Sequence, residues 1–394
     1  RARGATISKP TGLAGSTMTI VIAAGGTGGH LYPAIALARE FVRRDPSVRI
    51  LFVGTARGIE SRVLTHEGFE LVLITAKPVM GKGLLDVLRG VLSVPIGIWQ
   101  SLKILQQRQA NLVVGVGGYT SPTMLVAAAL KGVARVILEP NAYPGLANKA
   151  VAPLAQRIFL AFESAGTSFD KQKVRVVGTP IRQEFLAQSS KHSDSTQPKG
   201  QHLLIFGGSQ GAKAINSTVL EGLALLSERL PGLTITHQTG ETDLERVTAA
   251  YRARSIPAKV VPFLYDMPAV LRTADLVVAR AGAMTIAELT ACGKAALLIP
   301  LPTAIYDHQM KNARAMEAAG GAIVLPQAEL SGMKLVEMIV AILSNPARLS
   351  AMQSKSLEMR RIDAGEVIVN ECYALMGVRH DINHTIKTAG GERN

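Results

Sequence analysis

Three glycine-rich turns, each between an apolar run and a helical pattern, are where this sequence could do chemistry. They are Gly25-Gly26-Thr27-Gly28-Gly29-His30, Gly115-Val116-Gly117-Gly118-Tyr119 and Gly207-Gly208-Ser209-Gln210-Gly211. Glycine lets backbone approach a ligand closely, and the free N–H groups at a helix start favour an anion. A dinucleotide reading fails at the first turn. Leu31 stands where G-x-G-x-x-G needs its third glycine, and the next apolar run ends Phe52-Val53-Gly54-Thr55 without a ribose-binding carboxylate. No Walker lysine follows. The turns read as phosphate or diphosphate cradles. In the first half Gly26, Gly29, Gly117, Gly118 and Tyr119 offer contacts for a doubly charged group. His30 closes the first turn, where an imidazole of ordinary pKa (about 6.5) can take a proton from an attacking hydroxyl.

Further polar residues fall after apolar runs. Asn141 follows one such run and is placed to reach the same cleft. In Arg280-Ala281-Gly282-Ala283-Met284-Thr285-Ile286-Ala287-Glu288 a strand passes into a helix whose start can face an anion, and Glu288 can accept two sugar hydroxyls. Tyr306-Asp307-His308-Gln309 follows the proline-rich loop 300–302. No Asp-x-Asp occurs, so the carboxylate pair that usually holds a divalent cation on a nucleotide diphosphate is missing. No metal or other cofactor is expected. Cys292 and Cys372 lie too far apart in sequence for a metal motif, and two cysteines make no disulfide framework.

The elements that must carry these residues alternate. Candidate strands are Thr19–Ala23, Ile50–Val53, Glu70–Ile74, Leu112–Val116, Arg135–Glu139, Arg157–Leu160 and Val174–Val177, with helices over Tyr32–Arg44, Leu84–Gln107 and Ser121–Lys131. Pro95 is expected to break or kink the second helix into two short ones, and Ser121-Pro122 to cap the third. The polar stretch 188–200 reads as a linker, after which the pattern restarts. Candidate strands there are His202–Phe206, Thr234–Gln238, Lys259–Pro262, Leu276–Ala279 and Ala295–Ile299; helices are Lys213–Glu228, Thr242–Ala253, Met284–Cys292 and a terminal Ile362–Met376. Ile20–His30 and Leu203–Lys213 superpose as strand, glycine turn and helix start, offset by 183 residues. Short strands apolar on both faces, alternating with helices, imply parallel sheets covered on both sides. The fold class is α/β: two doubly wound, Rossmann-like domains facing across a cleft. The expected divisions are an extension over 1–17, a first domain over 18–187, the linker, a second domain over 201–360, a terminal helix over 361–378 packing back on the first domain, and a polar tail over 379–394.

Composition bounds the partners. The 394 residues are 47% hydrophobic and 18% charged, which excludes a mostly disordered chain. Net charge is +14, but residues 1–199 carry 24 basic against 11 acidic side chains, while the rest carry 19 against 18. Only the first half expects an anionic partner. Few aromatics and no recognised motif argue against nucleic acid. The basic-punctuated apolar stretch Lys77–Arg108, with Lys82, Arg89, Trp99 and Lys103, reads as an interfacial patch for anionic head groups.

Eight motifs then occur in order: AAGGTGGHLYPAIALA, GVGGYTSP, EPNAYPGLANK, VVGTPIR, GGSQGAKAIN, FLYDM, ARAGAMTIAEL and DHQMKNA. Over Met18–Gly377 the chain closely resembles the MurG family, cytoplasmic glycosyltransferases of peptidoglycan synthesis. The resemblance implies a GT-B fold, in which the domain over 18–187 meets the acceptor and the membrane and the domain over 201–360 binds the UDP-sugar donor, and inverting transfer of N-acetylglucosamine from UDP-N-acetylglucosamine to lipid I, giving lipid II. It implies a peripheral enzyme on the cytoplasmic face of the bacterial inner membrane, with cell-wall synthesis proteins as further partners. Carried onto matching positions, Arg182 and Ser209 would bind the diphosphate, and Ala283, Met284 and Thr285 would lie against nucleotide and phosphates. Glu288 would hold the ribose, the Leu264 backbone uracil, Gln309 and Asn141 the sugar, with Thr27 and Gly28 completing the donor set. The pattern departs at Ala281, Met310 and Pro140, where Ser, a small polar residue or glutamine, and glutamine are common. Another GT-B transferase that builds a glycolipid shares the donor half and stands as the alternative.

Neutralising Lys82, Arg89 and Lys103 together is expected to weaken binding to anionic vesicles at ~0.15 M salt, read by co-sedimentation. Unchanged binding would return this stretch to the ordinary core.

Overall fold

The computed structural model describes residues 17–25, 28–55, 60–76, 84–185, 201–208, 210–304 and 307–378, without the side chains of Arg62 and residues 84–92. The extension (Thr17 apart), the linker 188–200 and the tail 379–394 fall outside the described residues.

Two sheets, all of whose pairings are parallel, carry the fold. The first contains β1 (Thr19–Ala24), β2 (Arg49–Gly54), β3 (Glu70–Leu73), β4 (Leu112–Gly117), β5 (Ala134–Glu139), β6 (Arg157–Leu160) and β7 (Val174–Val176), in the order β3-β2-β1-β4-β5-β6-β7. The second contains β8 (His202–Phe206), β9 (Thr234–Gln238), β10 (Ala258–Val261), β11 (Leu276–Ala279), β12 (Ala295–Leu298) and β13 (Ala322–Val324), in the order β10-β9-β8-β11-β12-β13. Strand order reverses between β1 and β4, and again between β8 and β11. In such sheets the crevice beyond the strand ends at that reversal is the ligand site. Gly25, the helix start at Gly28 and the turn after β4 flank the first reversal. The ends of β8 and β11, with the helix that starts at Ala283, flank the second.

Every central strand is buried on both faces. In β1, Ile20, Ile22 and Ala24 enter one apolar cluster while Val21 and Ala23 enter another. In β8, Leu203 and Ile205 point one way, Leu204 and Phe206 the other. This alternation within a continuous apolar run is what a helix layer on each face requires.

Three local expectations are corrected. The first helix starts at Gly28, not Tyr32, and runs to Arg44. Flexible glycines there accept helical geometry at no steric cost, so His30 belongs to the helix's first turn. Leu84–Gln107 is one helix containing Pro95. Proline removes one intrahelical bond, and an exposed Pro95 is absorbed within a 24-residue helix docked on its neighbours. Ser121 does not cap its helix, which starts at Thr120 with Tyr119 at the cap position. Its Oγ is buried without a hydrogen-bond partner, lying where Gly115 leaves room beneath the turn.

The helix Ala364–Leu375 packs on the first domain although it follows the second in sequence. Ile368, Val369, Cys372 and Tyr373 join the core of β1, β2 and the helix Gly28–Arg44. Tyr373 meets Phe41 edge-on at 5.9 Å, and Arg157 Nε donates to Glu371 Oε2 at 3.1 Å. No single helix among the described residues is long and apolar enough to cross a membrane.

Ile368 is fully buried at this seam. Ile368→Ala is expected to cost about 2–5 kcal/mol of stability in urea unfolding. A loss below about 0.5 kcal/mol would mean that the helix contributes little to the first domain's core.

Candidate active site

The first cradle is built by close backbone packing. A Cβ on Gly118, whose φ is +76°, would lie 2.1 Å from the carbonyl oxygen of Gly25. Only glycine lets the turn after β4 sit directly against the end of β1. The His30 imidazole covers Gly117, with Cδ2 and Nε2 each 2.9 Å from where a Cβ there would stand. The two turns and His30 are therefore one surface. Tyr119 stands at its rim, 41% exposed. Glu60 is buried below, its Oε1 filling the space left by the missing side chain of Gly25.

Desolvation, joined by the charge of His308, lowers the His30 imidazole to about 4. His308 opens the helix His308–Ala318 of the second domain. Two histidines thus approach across the cleft, and His30 is neutral at neutral pH.

In the second domain Gly282 caps the helix Ala283–Ala291, which places the backbone N–H groups of Ala283, Met284 and Thr285 in its first turn. One turn on, Glu288 Oε1 lies 3.9 Å from Arg182 Nη2, while the Arg182 guanidinium also covers the Phe185 ring at 5.3 Å. Burial raises the Glu288 carboxyl to about 7, against the opposing pull of Arg182. Leu264 buries its side chain beside Met267 and Leu271. Gln309 Oε1 accepts from the Leu301 N–H at 3.0 Å, which ties the start of its helix to the proline-rich loop.

Asn141 is buried at the junction between domains. Its Nδ2 donates to Glu139 Oε1 at 3.2 Å and its Oδ1 accepts from Asn312 Nδ2 at 3.2 Å. The expectations for Gly26, Thr27, Ser209 and Lys82, and for the Arg89 side chain, concern groups outside those described. Gly28 and Gly29 open the first helix. Trp99 is 57% exposed with Lys103 Nζ 4.5 Å over its ring, and Ile96 on the same helix is half exposed. Arg108 instead pairs with Glu70 on β3.

Comparison with known proteins decides the family. The glycosyltransferase family 28 N-terminal domain matches residues 20–160 and the C-terminal domain of that family matches residues 202–367. The UDP-N-acetylglucosamine--N-acetylmuramyl-(pentapeptide) pyrophosphoryl-undecaprenol N-acetylglucosamine transferase of Syntrophus aciditrophicus is 43% identical over 360 residues, covering 91% of this chain and 99% of that protein. The enzyme of the same name from Geobacter sulfurreducens is 45% identical over 358 residues, covering 91% and 98%. The crystal structure of Acinetobacter baumannii MurG aligns with a TM-score of 0.74 at 27% identity, over 91% of this chain and all of that one. The chain belongs to the MurG family. It is a hexosyltransferase of the GT-B fold.

Within this MurG-family cleft, sequence reasoning missed the buried polar residues that hold the loops. Glu139 accepts from Asn141 N and Nδ2, Gly145 N and Asn148 Nδ2, at 2.9–3.2 Å. Arg280 donates to the carbonyls of Ile299 and Pro300 and to Gln327 Oε1. Asn216 reaches Thr239 O, Asp243 and His237 at the end of β9. His237 is held by burial at about 4. Each of these is a polar residue inside an otherwise apolar or helical segment, and that mismatch was the available signal.

Glu288 yields a pH prediction. Its folded pKa of about 7 lies above its ordinary 4.5, so the folded state keeps a proton that the unfolded chain has released. The contribution is fully present below pH 4.5 and lost as pH rises through 7. Relative to the parent, Glu288→Gln is expected to gain stability between those pH values, read by urea unfolding at pH 5 and 8. A difference falling with pH would place a charge-stabilised carboxylate there.

Proposed function

We propose that this chain transfers N-acetylglucosamine from UDP-N-acetylglucosamine to the muramoyl 4-hydroxyl of lipid I, releasing UDP and forming lipid II with inversion at the anomeric carbon. One observation carries the reading. A neutral His30 lies on the surface formed by both N-terminal cradles and feels the charge of His308 from the second domain, which also holds Glu288, paired with Arg182, on the helix that starts at Ala283. That arrangement occurs in a chain 43–45% identical, along nearly its whole length, to transferases named for this reaction.

In this reading the turns holding Gly26, Gly29, Gly117, Gly118 and Tyr119 cradle the acceptor's diphosphate. His30 takes the proton of the attacking hydroxyl. Its depressed pKa weakens it as a base, and an anionic diphosphate seated beside it raises that pKa towards the working range. The departing UDP is stabilised by Arg182, the turn at Ser209 and the start of the helix Ala283–Ala291, whose aligned peptide dipoles favour negative charge. Arg182 and Glu288 lie together here, and each takes a separate part of the nucleotide: Arg182 the diphosphate, Glu288 the ribose hydroxyls. Leu264 offers its backbone to uracil, while Asn141 and Gln309 meet the sugar. Without a paired-carboxylate motif, the diphosphate relies on these groups rather than on a divalent cation.

The exposed Ile96, Trp99 and Lys103 support a peripheral seat on the anionic cytoplasmic face of the membrane, where lipid I would be met. Proteins of cell-wall synthesis would be met there too.

The test is radiolabelled transfer from UDP-N-acetylglucosamine to a lipid I analogue, with and without EDTA. Transfer that survives EDTA is expected, and His30→Ala is expected to lower turnover at saturating substrates by ~10²–10⁴-fold. No transfer would sink the reading, inhibition by EDTA its metal-free part, and a few-fold loss the role of His30.

A further inference from the structure

We infer that Asn312 is a positioning residue for the sugar site: from the second domain it sets the orientation of the Asn141 amide in the first. The inference rests on the reading that Asn141 and Gln309 face the donor sugar.

Asn312 is completely buried, one helical turn after Gln309 on the helix His308–Ala318. Its Oδ1 accepts from the Ala142 N–H at 2.8 Å. Its Nδ2 donates to Asn141 Oδ1 at 3.2 Å and to the Ala281 carbonyl at 3.3 Å. Three segments meet on one amide: the turn after β5, the turn after β11, and the helix that carries Gln309.

The direction of this chain follows from donor and acceptor chemistry. A backbone N–H can only donate and a carbonyl can only accept, so Ala142 and Ala281 allow the Asn312 amide one orientation. Its Nδ2 then demands an acceptor from Asn141. At the other end Glu139 Oε1 accepts from Asn141 Nδ2. Turning the Asn141 amide over would set nitrogen against the Asn312 nitrogen and oxygen against the Glu139 carboxylate. Both contacts would be repulsive in a buried site, where an unmade hydrogen bond is expensive. Asn141 therefore keeps one N–H and one oxygen lone pair for a ligand, in an orientation decided before the ligand arrives. Beside this junction Lys311 Nζ lies 3.3 Å over the Tyr143 ring, a second contact between the same helix and the same loop.

The test compares Asn141→Ala, Asn312→Ala and the double variant, with Asn312→Ser as a smaller perturbation that keeps a hydroxyl near Ala142 and Ala281. Transfer kinetics are measured with UDP-N-acetylglucosamine, and binding of UDP, which lacks the sugar, by calorimetry. Asn312→Ala is expected to lower kcat/KM for the sugar nucleotide at least tenfold while the Kd for UDP stays within about twofold. In the Asn141→Ala background the further loss should be less than about threefold, because the group that Asn312 orients is already gone. If Asn312→Ala does not fold, Asn312→Ser carries the same cycle. Losses that multiply, UDP affinity falling in step with that of the sugar nucleotide, or single variants within twofold of the parent would each overturn the proposal. A parent chain that binds UDP but transfers nothing would overturn the reading beneath it instead.

Discussion

Backbone must lie against backbone at the ends of the central strands of each sheet, and the rest of this molecule is arranged around that constraint. At the first reversal Gly118 touches the Gly25 carbonyl. In the second sheet the turn after β8 meets the turn after β9 in the same way: a Cβ on Gly211 would stand 1.9 Å from Thr239 O, and one on Gly240 2.1 Å from Gln210 O. With side chains excluded, the surface beyond the strand ends is made of peptide groups and helix starts, which suits an anion and leaves little for an apolar ligand. The catalytic-type side chains are set on this floor rather than in it. His30 covers one glycine contact, and the helix bearing Glu288 begins beside the other pair of strands.

Such a floor exposes polar backbone, and the protein holds it with buried polar side chains. Glu139 gathers four donors from the turn after β5, and Asn216 gathers the turn after β9. Burial lifts the Glu139 carboxyl above its usual range while those hydrogen bonds pull it down. In a medium that screens weakly, a satisfied network of this kind is rigid, and a half-satisfied one is costly. That asymmetry explains why the network members sit within apolar surroundings and why they meet the loops rather than the solvent. It also ties the domains together, since Asn141, Asn312 and Ala281 come from both.

Burial tunes the titrating groups in opposite directions on the two sides of the cleft. His30 loses its proton more readily and Glu288 holds its proton more tightly, each because the charged form is the one that dry surroundings penalise. Before any ligand arrives the cleft therefore carries less charge than its residue types suggest.

Much of this was legible in the order of residues. Apolar runs of four to six residues between helical patterns determined the parallel sheets, and the repeat of strand and glycine turn determined that there are two of them. The turns themselves marked where backbone packs on backbone, because only glycine tolerates that packing. What the sequence could not supply was proximity. Pro95 by itself implies a break or kink, because a local rule cannot weigh one lost hydrogen bond against a long docked helix. The start at Gly28 was missed because glycine's low helix propensity is overridden by packing. Arg182 and Glu288 lie more than a hundred residues apart, as do Asn141 and Asn312, and Glu139 looked like the end of an ordinary strand. Residue type and spacing are local properties that the chain carries unfolded. Which buried amide meets which, and which carboxyl loses its water, depend on contacts between distant segments, and only the tertiary structure decides them.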